Sequence, residues 1–268
     1  EAGVYELESG VSIPELAAIL SRAIDQQIDL TFIEGWRLEE MAAYLAHIRP
    51  AAIDPDVFLA IAQGQTAFDL SSYEFLASLP SGGSLEGFLF PDTYRIPVEA
   101  DAVFLIGLML DNFGQKVDAS MRQSFGAQGL SVYQAVTLAS IVQREAVLSE
   151  ERPVMVGVFL NRLAQGMKLQ ADPTVQYAAG YQAGSDKWWK TPLSQADLEL
   201  DSAYNTYRYE GLPPGPIASP GLEALQAVAQ PAETEYLYFV VDCTAERVGQ
   251  HVFSRTFEEH LANVEACR

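Results

Sequence analysis

The chain runs to 268 residues and carries 36 acidic against 16 basic side chains, a formal net charge of −20. That balance argues against nucleic acid or an anionic membrane surface as a partner, because both are gripped by clustered Lys and Arg. With 49% apolar residues the chain is neither disordered nor fibrous, and at about 100–200 residues per domain its length predicts two domains.

The sequence opens at Glu1 without Met and directly on a strand-like segment, which leads to the expectation that a targeting or anchoring segment precedes it in the parent protein. No run reaches the roughly 18 consecutive apolar residues of a membrane span. A short repeat follows: GVSIPELAAIL at 10–20 aligns with GWRLEEMAAYL at 35–45, each preceded by β-formers, at 4–7 and at 29–32. Each unit reads as strand, turn and amphipathic helix. A further helix at 55–62 would close the core of this small module, and the PSGGS cluster at 80–84 marks the boundary. The predicted domains are therefore 1–80 and 81–268.

Beyond the boundary the pattern predicts a helix over 100–113 and another starting at Ser131, where Ser131 and Gln134 form an S-x-x-Q capping box. A helix is expected over 150–165. Asp172 reads as an N-cap with Pro173 at the first helical position and Gly180 as the stop, and Ser219-Pro220 repeats that start signal for a helix to about Ala229. The apolar run at 236–241 reads as a buried strand, residues 251–254 as its partner, and Thr256 as the cap of a last helix. Helices and strands mix without a βαβ rhythm, so the expected class is α+β. Cys243 and Cys267 are enough for one disulfide near the C-terminus but not for a disulfide framework.

Glu145 stands out on physical grounds. It follows Val142, Ile141 and Leu138 by three, four and seven residues, so on a helix it projects from the apolar stripe. Desolvation raises a carboxyl pKa, as a general acid at neutral pH requires. The alternative is a structural ion bridge from Glu145 to Arg152 or Arg162, and position alone leaves both open.

The strings LEGFLFPDTY (85–94), ASIVQREA (139–146), VFLNRL (158–163), LQADPTVQY (169–177), YNTY (204–207), GLPPGPI (211–217) and HVFS (251–254) resemble, in the same order, those of the MltG/YceG-like family of endolytic murein transglycosylases. The opening repeat is similar to that family's LysM-like module. The resemblance implies a LysM-like βα-repeat module followed by a mixed α+β catalytic domain, with Glu145 as acid/base. Where many members carry a second acid, this chain has Gln143, which cannot donate a proton.

The implied reaction cuts the β-1,4 bond between N-acetylmuramic acid and N-acetylglucosamine, and the muramyl 6-hydroxyl closes onto C1 to leave a 1,6-anhydro end. One carboxyl group suffices, because an intramolecular hydroxyl has a high effective concentration: the acid protonates the leaving oxygen and its carboxylate then accepts the hydroxyl proton. The two carboxylates of an ordinary glycosidase are not needed. The resemblance also implies murein glycan strands and cell-wall synthesis enzymes such as penicillin-binding proteins as partners, no cofactor, and an extracytoplasmic location with a membrane anchor outside this sequence.

Polar and aromatic side chains that would bind sugar are Asn161, Gln170, Asp172, Thr174, Gln176, Tyr177, Tyr204, Asn205, Thr206 and Tyr207. Several have plainer readings: Asp172 as a helix cap, Asn161 as the cap of a neighbouring loop, Tyr94 as core with its hydroxyl satisfied. Residues 211–216 restrict the backbone and would shape a cleft wall, and Glu86 and Asp92 would cap or pair locally. His47, His251 and His260 lack zinc-ligand spacing, so no metal is expected and His251 reads as a supporting residue. The rivals are a hydrolytic muramidase and a catalytically silent murein-binding or division scaffold. Pyridoxal-phosphate lyase chemistry fits poorly, since no Gly-rich phosphate loop accompanies Lys116, Lys168, Lys187 or Lys190.

Overall fold

The computed structural model describes residues 10–20, 26–50 and 52–267. The strand read at 4–7 lies outside the described residues. The first repeat's helix is α1 (Ile13–Leu20), and the second unit supplies β1 (Gln27–Thr31) and α2 (Leu38–Ile48), followed by α3 (Pro55–Ala62). The Asp54 carboxylate caps α3 by accepting from the backbone N–H groups of Asp56 and Val57, with Pro55 at the first helical position.

β1 pairs antiparallel with β2 (Thr93–Pro97), Leu30 opposite Tyr94 and Ile28 opposite Ile96. The period of two sends Leu30, Tyr94 and Ile96 into the core and leaves Asp29 and Arg95 to pair at 2.8 Å on the outer face. The sheet of the opening segment is thus completed by a strand from beyond the turn at 80–84. Its apolar side chains belong to one core that runs from Leu30 through Phe58 and Phe88 to Leu225.

The remaining elements are α4 (Ala102–Lys116), α5 (Ala119–Ala127), α6 (Val132–Glu145), α7 (Arg152–Ala164), α8 (Asp172–Ala179), α9 (Gln195–Leu198), α10 (Leu222–Ala229), β3 (Tyr238–Val241), β4 (His251–Ser254) and α11 (Phe257–Ala266). This is a mixed α+β architecture, as the sequence predicts. α6 is the axis: every residue from Ala135 to Val142 is buried, the Thr137 and Ser140 hydroxyls being bonded to carbonyls of their own helix, and α5, α7, α8 and α10 pack around it. The predicted capping box at its start is present, with Ser131 accepting from the Gln134 N–H and Gln134 from the Ser131 N–H. β3 and β4 form an antiparallel hairpin with Val241 opposite His251. α11 packs on it, capped by Thr256, and a Cys243–Cys267 disulfide ties the helix end to the hairpin loop.

Two start signals are displaced. The cap of α8 is Ala171, not Asp172, whose side chain makes no cap bond; Asp172 takes the first helical position and its carboxylate is free to bond elsewhere. The cap of α10 is Gly221, because the backbone of Ser219 is engaged with Gly35 and Trp36 at 2.8 and 2.7 Å. α5, capped by Asp118, has no counterpart among the predicted elements. Among the described residues no helix is long and apolar enough to cross a membrane.

Candidate active site

Glu145 is the last residue of α6. The carbonyls at a helix C-terminus disfavour a negative charge, and Leu138, Ile141 and Val142 on the same stripe are fully buried. Glu145 itself is half-buried and opens on a cavity of about 460 Å³. One wall comes from the ends of the helices, with Arg162 of α7, Gln170, Asp172 of α8 and Tyr207. The other comes from the hairpin and α11, with Tyr238, Phe239, His251, Phe257 and His260.

Burial is the main cause that raises the Glu145 pKa, and the Asp172 carboxylate adds to it. A hydrogen bond from the Asp172 backbone N–H and the charge of Arg162 act the other way, and the balance leaves Glu145 pushed up to about 8. The ion-bridge alternative finds no bond. Arg152 pairs with Glu223 at 2.7 Å, and Arg162 spends its donors on the carbonyls of Leu237 at 2.6 Å, Leu169 at 2.7 Å and Lys168 at 3.3 Å. Among the described residues Glu145 enters no ion pair. Gln143 is turned away, its Oε1 accepting from the N–H of Gly221 at 3.0 Å.

Of the predicted sugar-binding residues, the cavity gathers Gln170, Asp172 and Tyr207 around Glu145. The Tyr207 hydroxyl donates to Asp172 Oδ1 at 2.5 Å. The others do not reach it. Asn161 donates to the carbonyls of Thr234 and Tyr236, Gln176 to the carbonyl of Lys190, and Asn205 to those of Leu198 and Leu200. The hydroxyls of Thr174 and Thr206 bond each other at 2.9 Å in the interior. Thr174, Asn205 and Thr206 hold the loops that carry Gln170 and Tyr207, whereas Asn161 fastens the segment before β3 and Gln176 the loop at Lys190.

Tyr177 and Tyr204 pack with tilted rings, their centroids 4.9 Å apart, beside a buried acid, Glu86, whose Oε2 accepts from the Leu38 N–H and the Tyr177 hydroxyl at 3.3 and 3.4 Å. Burial chiefly, with the charge of Glu39, raises its pKa to about 8 as well. Its carboxyl is sealed in protein, and its Oε1 is buried without a partner. Tyr94 is core, its hydroxyl donating to the Phe90 carbonyl, and Asp92 accepts locally from the Thr93 N–H. Residues 211–214 do wall a cleft of about 430 Å³, reached across the turn at 204–207, with Thr206 on that side and Tyr207 on the other.

Tyr238 and His260 escape a reading along the chain, because they enter the site only when the hairpin and α11 fold over the end of α6; Arg162 and His251 are legible there only as an ion-bridge alternative and a supporting residue.

Residues 1–266 match the YceG-like family. The chain is 32% identical to the endolytic murein transglycosylase of Bacillus subtilis over 269 residues, 97% of this chain and 71% of that protein. It is 30% identical over 281 residues to the endolytic murein transglycosylase of Streptococcus pneumoniae serotype 2, covering 98% of this chain. The chain spans about half the length of that pneumococcal relative, 50%. A crystal structure of a yceG-like protein from Listeria monocytogenes superposes with a TM-score of 0.73 at 30% identity, over 91% of this chain and 78% of that one.

Proposed function

The chain belongs to the YceG-like family, and on that premise we propose that it is an endolytic lytic transglycosylase of peptidoglycan with Glu145 as its acid/base. The observation that carries the reading is an unpaired carboxyl group raised to about 8 at the edge of a cavity wide enough for sugar. At pH 7 such a group is about nine-tenths protonated. It can deliver its proton to the leaving O4 as the muramyl C1–O4 bond breaks, and the carboxylate left behind can take the proton of the 6-hydroxyl as that oxygen closes on C1. No water is consumed, and a 1,6-anhydromuramyl end is the product. Glu86, the other raised acid, is a poorer candidate, because its carboxyl is sealed in protein, with one oxygen bonded by Leu38 and Tyr177 and the other buried.

The same reading takes residues 1–80 as a LysM-like module that orients the strand and 81–268 as the catalytic domain. It places the protein outside the cytoplasm, held by a membrane anchor beyond this sequence, trimming or terminating nascent strands beside penicillin-binding proteins. Gln170, Asp172 and Tyr207 then meet the sugar directly.

The test is digestion of purified murein followed by mass spectrometry of the fragments. A transglycosylase gives anhydro-ended products one water lighter than those of a muramidase, and Glu145→Gln should lower turnover by about 10²–10⁴-fold or more. Hydrolysed ends would convert the assignment to a muramidase. Binding with no turnover by the native protein would favour a scaffold.

A further inference from the structure

His251 sits on the hairpin wall of the Glu145 cavity and is held unlike any other side chain there. Glu151, from the turn that follows α6, grips it with both carboxylate oxygens: Oε1 accepts from the His251 backbone N–H at 2.9 Å and Oε2 meets the ring Nδ1 at 2.8 Å. Residue and partner are each 9% exposed, and Phe239 packs edge-on against the imidazole at 5.6 Å. A carboxylate only accepts, so Nδ1 must carry the proton, and in the neutral ring Nε2 is then a lone-pair acceptor. Nε2 has no partner among the described residues. One cavity therefore holds a proton donor on its helix wall and an orientated acceptor on its hairpin wall.

We propose that His251 takes the proton of the attacking sugar hydroxyl, with Glu151 as the positioning residue that fixes its tautomer. The inference rests on the transglycosylase reading and divides its acid and base roles between two residues. As C1–O4 breaks, the Glu145 proton passes to O4. As O6–C1 forms, the O6 proton passes to His251 Nε2. The imidazolium then returns that proton to the Glu145 carboxylate across the cavity, so protons balance and no water or co-reactant enters. Arg162 of α7, Asp172 of α8, Tyr238 of β3 and His260 of α11 line the same space and set the field in which the transfer occurs.

The test compares His251→Asn, Glu151→Gln and Glu145→Gln in the full chain, with kcat and KM measured on murein strands and the melting temperature of each variant. Asn places an amide donor where Nδ1 stands, so the bond to Glu151 survives while the Nε2 acceptor is lost. His251→Asn should keep its melting temperature and KM and lose about 10²-fold or more in kcat. Glu151→Gln should show a milder loss, about tenfold, in kcat alone. A folded variant of either kind with native kcat overturns the proposal, as does a loss confined to KM or to melting temperature. Should His251→Asn fail to fold, Glu151→Gln decides alone. An inactive Glu145→Gln beside a fully active His251→Asn would refute only the division of roles, whereas an active Glu145→Gln would refute the transglycosylase assignment beneath it.

Discussion

Glu145 carries opposite consequences for activity and stability. Its folded pKa, about 8, lies above the ordinary value of 4.5, so the folded state binds more protons than the unfolded chain between those values. Stability from this residue is fully present below about pH 4.5 and is lost as pH rises through about 8. At about 1.4 kcal/mol per unit the loss amounts to roughly 4–5 kcal/mol at most. Glu145→Gln removes the ionisation, so its melting temperature should match the parent's near pH 5 and exceed it increasingly toward pH 9. Glu86 titrates in the same window but does so in both proteins and cancels from the difference. A gap that stays constant with pH would show that Glu145 is not desolvated. Asp172 offers a subtler check: it raises the Glu145 pKa by its charge, and Asp172→Asn keeps both its backbone N–H and an acceptor for Tyr207. The alkaline limb of the activity profile should move to lower pH, by up to about one unit, with the loss of activity greatest above pH 7. An unmoved limb would exclude Asp172 as the tuning charge. The desolvated position of Glu145 is legible in the sequence because its cue, a carboxylate in the apolar stripe of a helix, is local. The Tyr207–Asp172 bond and the His251–Glu151 grip are not, since their partners lie 35 and 100 residues apart and meet only through the packing of α6, α8 and the hairpin.

Among the elements, caps repaid reading where the signal was complete within four residues. Ser131 with Gln134 and Thr256 with Glu259 both close capping boxes. Single-residue cues misled by a residue or two: Pro173 and Pro220 mark the right neighbourhoods, yet Ala171 and Gly221 are the caps, because long-range backbone bonds to Gly35 and Trp36 claim Ser219. α5 escaped because its sequence, ASMRQSFGA, buries only Phe125 and has little apolar stripe. α7 shows how a helix can serve the site by what it lacks. A Cβ at Gly157 would stand 2.6 Å from the Ala232 carbonyl oxygen and 2.7 Å from Thr234 Cγ2, so the segment leading to β3 lies flat on the helix only over a glycine. One turn on, Asn161 pins the same segment through the Thr234 and Tyr236 carbonyls. In an open helix Gly→Ala would gain up to about 1 kcal/mol. Here Gly157→Ala should instead destabilise by about 1–3 kcal/mol and lower activity by lifting the hairpin from the cavity. A variant that melts higher with full activity would disprove that the contact is tight.

At the scale of the whole molecule the question is whether residues 1–80 form a body that can be removed. The described part of that segment contributes β1, the only partner of β2 among the described strands. It also sends Leu30, Phe32, Leu38, Met41, Leu45, Phe58 and Ile61 into the common core. Its backbone holds the entry to α10 through Gly35, Trp36 and Ser219, and the Leu38 N–H bonds Glu86. Each large apolar side chain taken from water contributes roughly 1.5–3 kcal/mol, so the seven together contribute about as much as the whole net stability of a typical domain, about 5–15 kcal/mol, or more. A boundary drawn at the glycine-containing turn at 80–84 can separate roles without separating folds. A fragment of residues 81–268 should therefore show no cooperative thermal transition and should bind a hydrophobic dye, although Glu145, His251 and the cavity walls all lie within it. The full chain should melt in one step. A fragment that melts cooperatively and still releases anhydro-ended products, even slowly, would show instead that the opening segment is a detachable module and that its share of the core is dispensable.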